Sequence, residues 1–317
     1  MAALRLSTMR VFHGLTDLPA FRNAVITIGT FDGVHIGHQA ILEKLAQRAR
    51  EVGGESVLIT FDPHPRLVLS PQNVSVELLS SLAEKLEALS HVGIDNVVVV
   101  PFTAAFANMS ASSYVRDFLI THFHPHTFII GYDHRFGYKR EGDFHLLEKL
   151  KTEYHFLLEE IPVQEIQDLA ISSTRVREAL HQGNISKAND YLGRPYTLRG
   201  LVVHGEQRGR RIGYPTANIE CDDIHKLIPA NGVYAIRAFV NAKTYIGMMN
   251  IGIRPTVSHA NKRSVEAHLF DFHDDIYGET VRIEMIQRLR DEQKYDSIDA
   301  LQAQLDQDKL QAQKVFL

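Results

Sequence analysis

Two histidines follow a short apolar run near the N-terminus, within the segment "GTFDGVHIGH" at residues 29–38. His35 and His38 stand three residues apart. The stretch "AVITIGT", which leads into them, has the apolar, β-branched character of a strand, and "QAILEKLAQRARE" after them has helical periodicity. The two histidines are therefore predicted to lie on a turn between a strand and a helix.

A turn of this kind suits an anion such as a triphosphate. Gly29, Gly33 and Gly37 let the backbone approach a ligand closely, and a helix N-terminus presents unpaired N–H groups. Histidines there can donate hydrogen bonds to phosphates and stabilise the charge that develops as pyrophosphate leaves. Packing or helix capping by the histidines is an open alternative. Zinc binding is a weaker one, because no third ligand stands at a recognisable spacing.

The familiar phosphate-binding signatures do not occur. The sequence contains neither G-x-x-x-x-G-K-[ST] nor a G-x-G-x-x-G after a strand, which excludes a lysine-based P-loop. A second candidate segment is "AISSTRVREAL", where Ser172 begins a predicted helix and Arg175 and Arg177 follow. An ordinary N-cap does not require two arginines. Hydroxyls, first-turn N–H groups and a guanidinium together suit a pyrophosphate.

These segments lie in a chain of two differently patterned halves. The first contains five strand candidates, "VITIGT" (25–30), "SVLITF" (56–61), "NVVVVPF" (96–102), "HTFIIG" (126–131) and "HFLLEEI" (155–161). Helical segments such as 38–51 and 78–92 separate them. Strands that are apolar throughout and alternate with helices predict an α/β fold, with a mostly parallel sheet covered by helices on both faces.

The second half follows the helix predicted for "STRVREALHQGN" and reads as antiparallel strands that form a barrel. The strand candidates are "YTLRGLVVHG", "GVYAIRAFV", "TYIGMMNIG", "SVEAHLFDF" and "TVRIEMIQRLR", with "NAK" as a hairpin turn between the second and third. A terminal helix is predicted to start at the N-cap residue Ser297. We place the domain boundary between residues 184 and 185, which gives domains 1–184 and 185–317.

The composition of the chain limits the partners and the cellular compartment that we expect. The 317 residues carry a net charge of -4, so we expect neither a nucleic-acid surface nor a polybasic membrane patch. Cys221 is the only cysteine, which excludes an intramolecular disulfide and fits a reducing compartment. No signal peptide and no membrane-spanning stretch is recognisable, so we expect a cytoplasmic protein. The sequence leaves the oligomeric state open.

The motifs of the two halves resemble those of one enzyme family. "GTFDGVHIGH" and "ISSTRVR" are similar to the histidine-motif nucleotidyltransferases, a Rossmann-like superfamily. "HGEQRGRRIGYPTANI", "NIGIRPTV", "VEAHLFDF" and "RLRDEQKYDSIDALQAQLDQD" resemble the riboflavin kinase module. Both modules in this order resemble the prokaryotic bifunctional riboflavin kinase/FAD synthetase family. The resemblance implies that the second half makes FMN from riboflavin and ATP, and that the first half adenylates FMN to FAD.

The resemblance also implies roles for individual residues. In the second half, Glu266 would be the general base, and Thr216 and Asn218 would bind Mg²⁺ and the ATP phosphates. In the first half, His35 and His38 would contact the ATP phosphates. The remaining expected nucleotide contacts are Gly29, Thr30, Phe31, Asp32, Gly33, Asp133, Ser173, Thr174 and Arg177 in the first half, and Gly205, Gly209, Arg210 and Gly213 in the second.

Chemistry supports a division of labour between the two sets of residues. A neutral primary hydroxyl is too weak an acid to ionise at pH 7, so a carboxylate such as Glu266 is useful to the kinase. The FMN phosphate is already mostly dianionic, so the histidines are expected to stabilise charge rather than accept a proton. Two positions depart from the family pattern, His134 where an aromatic is usual and Tyr214 where Phe is usual.

Two other interpretations stay open at this point. In the first, one module has kept only flavin binding or regulation; motifs in both halves argue against this. Alternatively, the first half is a nucleotidyltransferase for another acceptor, such as a pantetheine or nicotinate nucleotide, with an accessory barrel. An accessory barrel would have no need of the "PTAN" and "VEAHL" segments.

Overall fold

The computed structural model describes residues 9–69, 76–131, 134–161, 171–205, 209, 212–253 and 263–317. The chain divides into two compact units. The first comprises Met1–Val76 and Lys85–Ile171, and the second comprises Glu77–Glu84 and Ser172–Leu317. No helix in the described part of the chain is both long and apolar enough to cross a membrane.

A six-stranded, fully parallel sheet forms the centre of the first unit. Its strands are β1 (Arg10–His13), β2 (Val25–Ile28), β3 (Ser56–Asp62), β4 (Asn96–Pro101), β5 (Thr127–Gly131) and β6 (Leu157–Ile161). Their spatial order is β1-β4-β3-β2-β5-β6. All five predicted strands are confirmed. The edge strand β1 was not predicted, because its half-exposed sequence "RVFH" lacks an apolar run.

Helices connect and cover these strands. They are α1 (Ile36–Glu51), α2 (Pro65–Leu69), α3 (Leu82–Ser90), α4 (Ala104–Ala107), α5 (Ala111–Ser113), α6 (Thr121–Phe123) and α7 (Phe144–Tyr154), with a π-helical turn at Tyr114–Ile120 and a 3₁₀ turn at Tyr138–Arg140. Strands β2, β3 and β4 are buried along nearly their whole length, as expected for a sheet covered on both faces.

The strand order indicates where on this sheet a ligand is expected to bind. From β2 the sheet continues through β3 and β4 in one direction and through β5 and β6 in the other. The connections therefore diverge between β2 and β5, and in open α/β sheets ligands bind at the carboxyl ends of the strands that flank such a point. Strand β2 ends immediately before Gly29, and β5 ends at Gly131. The histidine turn thus starts where this sheet is expected to bind its ligand.

A closed barrel of six antiparallel strands forms the second unit. The strands are β7 (Tyr196–Val203), β8 (Ala217–Cys221), β9 (Gly232–Val240), β10 (Lys243–Ile253), β11 (Arg263–Leu269) and β12 (Thr280–Arg290), arranged in the order β10-β11-β8-β7-β12-β9. The predicted "NAK" hairpin is confirmed. Asn241 and Ala242 form its tip with φ of 48° and 61°, the left-handed conformation that tight hairpins favour.

The described residues of the second unit also form the helices α8 (Ser173–His181), α9 (Ile185–Leu192) and α10 (Ile298–Lys314). The Ser297 hydroxyl caps α10 by accepting from the N–H of Ala300, as predicted. Val176 and Leu180 of α8 belong to the same hydrophobic cluster as the barrel strands. The compact unit therefore begins at Ser172, earlier than the predicted boundary at residue 184, because α8 buries its apolar face in the barrel core.

Residues 77–84 also belong to the second unit, although they come from the first half of the sequence. Leu78 forms a parallel bridge with Lys226, and Leu79 lies in the barrel core. The Nζ of Lys226 is 2.6 Å from Oε2 of Glu84 and 2.7 Å from the carbonyl oxygen of Leu79. The predicted helix 78–92 is shorter than expected and starts at Leu82, because Ser81 and Glu84 form a reciprocal capping box.

Candidate active sites

His35 occupies the N-cap position of α1. Its Nδ1 accepts a hydrogen bond from the backbone N–H of His38 at 3.3 Å, and the two imidazole rings stack with centroids 3.6 Å apart. The ring of Phe31 lies 4.9 Å from that of His38. Capping, which was the alternative interpretation of the histidines, is therefore real for His35. A neutral ring that accepts at Nδ1 carries its proton on Nε2, which can donate to a ligand.

The backbone of the turn is strained. Phe31 and Val34 have φ of 46° and 41°, and Gly33 has φ of 81°. A left-handed conformation is unusual for any residue with a side chain and especially for a β-branched valine. Such strain costs of order 1–3 kcal/mol per residue and clusters at ligand-binding sites. The side chain of Gln39 donates to the carbonyl oxygen of Val34 at 2.8 Å and holds the turn in this shape.

The predicted contacts at the start of the turn lie where β2 ends. The N–H of Gly29 donates to the carbonyl oxygen of Ile59 at 3.0 Å, and the carbonyl of Thr30 accepts from the Thr60 hydroxyl at 3.2 Å. Asp32 is buried, with 3% of its surface exposed. Hydrogen bonds to β3 and burial thus fix the first residues of the turn.

A cavity of about 500 Å³ opens beside this turn, and Gly29 and Thr30 form part of its wall. Aromatic side chains line much of it, namely Phe61, Phe102, Phe106, Tyr114, Phe136 and Tyr138. Three cations, Arg135, Lys139 and Arg140, line it as well. The cavity combines flat apolar surfaces with positive charge, which suits an aromatic ring system that carries a phosphate. None of these three cations was predicted from the sequence as a site residue.

His134, which departs from the family pattern, lines the same cavity. Its ring lies 5.8 Å from that of Phe136 with an interplanar angle of 30°, and 6.2 Å from that of Phe128 with an angle of 82°. The imidazole thus packs among aromatic rings, as an aromatic residue at this position could. Asp133, for which a nucleotide contact was predicted, lies outside the described residues.

The "ISSTRVR" segment begins α8 as predicted. The Ser172 hydroxyl accepts from the N–H of Arg175 at 3.4 Å and caps the helix. Ser173 and Thr174 occupy its first turn, and the Nε of Arg177 donates to the carbonyl oxygen of Glu77 at 2.7 Å. The nucleotide contacts of Ser173, Thr174 and Arg177 stay predictions, since α8 is placed with the second unit.

In the second unit, strand pairing brings the predicted kinase residues together. Glu266 on β11 pairs directly with Asn218 on β8. The Thr216 hydroxyl, just before β8, lies 3.4 Å from Oε2 of Glu266. The three side chains predicted from "PTAN" and "VEAHL" therefore lie at one place on the barrel. Strand β8 itself was not predicted, because it is short and follows a segment that reads as a turn.

Two cavities meet at Thr216. One, of about 280 Å³, is lined by Glu266, Asn250 and His268 together with Leu301 and Leu305 of the terminal helix. The other, of about 290 Å³, is lined by Pro215, Phe272, Asp275 and Tyr277. Thr216 contributes to both walls, while Glu266 lines only the first. This arrangement offers two neighbouring binding places with a carboxylate in one of them.

Two further side chains hold this region in place. The Nδ1 of His268 lies 2.7 Å from the carbonyl oxygen of Pro215, and burial lowers the pKa of His268 below its usual value. The Tyr214 hydroxyl donates to Asp306 on the terminal helix. Burial, helped by Asp306, raises the pKa of Tyr214 to about 12. A phenylalanine, which the family usually has at this position, could not make that hydrogen bond.

The predicted glycine-rich loop is described only in part. Gly205 lies against the Asn218 side chain, where a Cβ would collide with it. The carbonyl of Gly209 accepts from the N–H groups of Ile212 and Tyr214 at 3.1 and 2.9 Å. Gly213 has φ of 81°, in the left-handed region that favours glycine. Arg210 lies outside the described residues.

Comparisons with known proteins identify a family for each half of the chain. The family model for FAD synthetase matches residues 18–175, and that for riboflavin kinase matches residues 192–316. A bifunctional riboflavin kinase/FMN adenylyltransferase from Listeria monocytogenes is 38% identical over 98% of both chains. Those from Escherichia coli and Bacillus subtilis are 38% and 35% identical over 97% and 92% of both chains.

The crystal structure of a macrolide-efflux protein from Streptococcus pneumoniae has the same fold over most of the chain. It superposes with a TM-score of 0.82 at 32% sequence identity, covering 95% of this chain and 97% of that one. The two family models occur in the order predicted from the motifs and together span most of the sequence. On this evidence the chain belongs to the family of bifunctional riboflavin kinase/FMN adenylyltransferases.

Proposed function

We propose that each unit performs one reaction of the family with its own set of residues. The enzyme phosphorylates riboflavin with ATP to give FMN, and adenylates FMN with a second ATP to give FAD and pyrophosphate. The observation that carries the assignment of residues is the separation of the two sets. The histidine turn and the aromatic cavity lie in the first unit, whereas Glu266, Thr216 and Asn218 lie in the second.

In the first unit, the aromatic cavity beside Gly29 and Thr30 receives FMN. Aromatic walls favour the flavin ring by stacking, and Arg135, Lys139 and Arg140 attract its phosphate. The phosphate is then the nucleophile, and the α-phosphate of ATP at the histidine turn is its target. Because this nucleophile is already anionic, the site needs positioning and charge stabilisation rather than a base.

His35 and His38 supply that stabilisation. Since Nδ1 of His35 accepts from the helix backbone, the neutral ring carries its proton on Nε2, and this N–H can donate to a phosphate oxygen. Like those of any helix N-terminus, the first N–H groups of α1 favour a negative charge nearby. As the bond to pyrophosphate breaks, charge builds on the leaving oxygen, and donors fixed in advance lower the barrier.

In the second unit, the cavity that contains Glu266 receives riboflavin and the cavity on the other side of Thr216 receives ATP. The primary hydroxyl of riboflavin has to lose a proton as it attacks, so the acceptor must lie in the cavity with the carboxylate. The shared wall at Thr216 marks where the γ-phosphate passes from one cavity to the other. Glu266 takes the proton from the hydroxyl while Thr216 and Asn218 orient the phosphates.

The oxygens at this point fit Mg²⁺. Thr216 and Asn218 offer a hydroxyl and an amide oxygen beside Glu266, and a hard cation prefers oxygen ligands and keeps several waters. Thr216 and Asn218 would hold the ion. When bound, Mg²⁺ would supply positive charge that neutralises part of the charge of the ATP phosphates. Within the described residues no cluster of three or more His, Cys, Asp or Glu side chains could hold a metal.

The enzyme is proposed to act in the cytoplasm, where ATP is available and where a chain with a single cysteine meets reducing conditions. Separation of cell extract into membrane and soluble fractions, with FAD formation from FMN measured in each, tests this. Activity confined to the membrane fraction would contradict it.

The assignment is tested by incubating the purified protein with riboflavin, ATP and Mg²⁺ and separating the flavins by chromatography. Glu266→Gln abolishes FMN formation but leaves conversion of added FMN to FAD intact. His38→Ala does the reverse. The matched controls, Glu279→Gln and His91→Ala, change exposed residues outside both sites and keep both activities. Equal loss of both activities in Glu266→Gln or His38→Ala would contradict two separate sets of residues.

A further inference from the structure

A buried lysine in the first unit has no part in the reactions described so far. Lys85 lies on α3 with only 5% of its surface exposed. Lysine is rarely buried this completely unless it is paired. The helix does not need the charge to start, because Ser81 and Glu84 already form its capping box. Helix formation therefore does not explain why a lysine stands at this buried position.

The ammonium group of Lys85 is linked to the histidine turn through the side chain of Thr60. Its Nζ lies 3.5 Å from the Thr60 hydroxyl, and that hydroxyl donates to the carbonyl oxygen of Thr30 at 3.2 Å. The carboxylates of Asp32 and Asp62 are the charges that act on it. Thr30 and Asp32 are two of the first residues of the histidine turn. The Lys85 ammonium therefore lies close to the start of this turn.

The ammonium is held there at a net cost in free energy. Removal from water lowers the pKa of Lys85, and this effect outweighs the opposing attraction of Asp32 and Asp62. The 3.5 Å contact with Thr60 is too long to compensate for lost hydration. An apolar side chain of similar volume would fit a buried position on this helix without that cost. Groups kept in unfavourable surroundings are enriched at functional sites.

We propose that Lys85 is a positioning residue for adenylyl transfer, holding Thr30 through the Thr60 hydroxyl and the Asp32 carboxylate through its charge. The inference rests on the proposed function of the first unit. It adds a fixed cation to the start of a turn that also contains glycines, strained residues, a buried carboxylate and two histidines. With Thr30 and Asp32 held, the histidines and the N-terminus of α1 keep one arrangement toward the phosphates.

The test compares Lys85→Met, which removes the charge, with Lys85→Arg, which keeps it. Steady-state kinetics of FAD formation from FMN are measured for both, with riboflavin phosphorylation in the same preparations as an internal reference. Lys85→Met lowers kcat about 10- to 100-fold, as expected for a misplaced catalytic group, while KM for FMN changes less than twofold. Lys85→Arg recovers part of the lost kcat. Lys149→Met, an exposed lysine of α7, is the matched control and retains wild-type kinetics.

Thr60→Val keeps the lysine and cuts its link to Thr30, so it covers the possibility that Lys85→Met folds poorly. It lowers kcat as well, and the double variant Lys85→Met/Thr60→Val is no slower than the worse single variant, because the two residues act as a unit. Wild-type kcat in either single variant, or a double variant with multiplied losses, overturns the inference. A wild-type protein that forms no FAD would instead contradict the proposed function of the first unit.

Discussion

At the scale of single residues, His35 combines a structural and a chemical role in one ring. One nitrogen accepts from the N–H of His38 at the start of α1, so in the neutral ring the other nitrogen carries the proton. From the sequence alone, capping and phosphate binding were alternative interpretations of the histidines. The geometry allows both at once, because the two nitrogens of an imidazole point in different directions.

The two roles of His35 can be separated by substitution. Asparagine is among the best N-cap residues, so His35→Asn keeps the cap but loses the Nε2 donor. We expect the urea midpoint of the first unit to stay close to that of the wild type while kcat for FAD formation falls about 100-fold or more. His35→Ala loses the cap as well and is less stable by about 1 kcal/mol. A fully active His35→Asn would show that His35 only caps the helix.

His268 makes the folding stability of the second unit depend on pH. Burial lowers its folded-state pKa, with a smaller contribution in the same direction from Lys309. Below the unfolded-state pKa of about 6.5, the unfolded chain binds a proton that the folded chain does not, so this histidine costs stability as the pH falls. Above that pKa its effect on stability disappears.

His268→Asn is expected to remove this dependence while keeping an N–H donor for the carbonyl of Pro215. The free energy of unfolding by urea is measured for variant and wild type at pH 7.5 and pH 5.5. Loss of riboflavin kinase activity serves as the signal for unfolding of the second unit. The fall in stability between the two values should be smaller in the variant than in the wild type. An unchanged difference would show that His268 does not titrate differently in the folded state.

At the scale of elements, the turn from β2 into α1 depends on backbone shape as much as on its side chains. Gly33 has φ of 81°, where an added Cβ costs roughly 1–2 kcal/mol. Gly33→Ala is therefore expected to destabilise the first unit by about this amount and to reduce FAD formation, since the histidines follow it directly. Riboflavin phosphorylation should not change.

A matched control separates strain from function. Gly93, between α3 and β4, has φ of 82° and open space around it. Gly93→Ala is expected to cost about as much stability as Gly33→Ala while leaving the kcat of FAD formation unchanged. Chemical unfolding and FAD assays on both variants make the comparison. Equal kcat values in the two variants would mean that the turn tolerates a change of shape.

The sequence was informative where one pattern dominated. Apolar runs predicted β2 to β6, and turn and cap residues predicted the hairpin at Asn241 and the start of α10. The histidine pair and Glu266 were identified from motifs. Short or half-exposed elements such as β1, β8 and α9 were missed, because their few residues bury too little apolar surface to stand out.

Residues brought to the sites by tertiary structure were also missed. Arg135, Lys139 and Arg140 stand close together in the sequence, but only the structure shows that they line a cavity with aromatic walls. Lys85 offered a weak local signal, because it shares the apolar helical stripe of Leu82, Leu86 and Leu89. A lysine on such a stripe is usually read as a solvated side chain, since long cationic chains can reach water from partly buried positions. Only the structure shows that Lys85 is buried, with its Nζ 3.5 Å from the hydroxyl of Thr60 on β3.

At the scale of the whole molecule, two sets of catalytic residues imply that FMN made by one protein molecule can serve another. We expect a mixture of Glu266→Gln and His38→Ala proteins to convert riboflavin to FAD, although neither does so alone. FMN should accumulate first and FAD should follow after a lag, as measured by chromatography over time. Formation of FMN without FAD in the mixture would contradict this expectation.

The segment Glu77–Glu84 makes the second unit discontinuous in sequence. A fragment starting at residue 185 would lack both this segment and α8, leaving the Lys226 ammonium without its carboxylate and part of the barrel core without its cover. A single cut at residue 184 would therefore divide the barrel unit itself, because eight of its residues are encoded far upstream, among those of the first unit. We expect a recombinant that keeps Glu77–Glu84 and α8 together with the barrel to be more stable than one that inherits residues 185–317 alone.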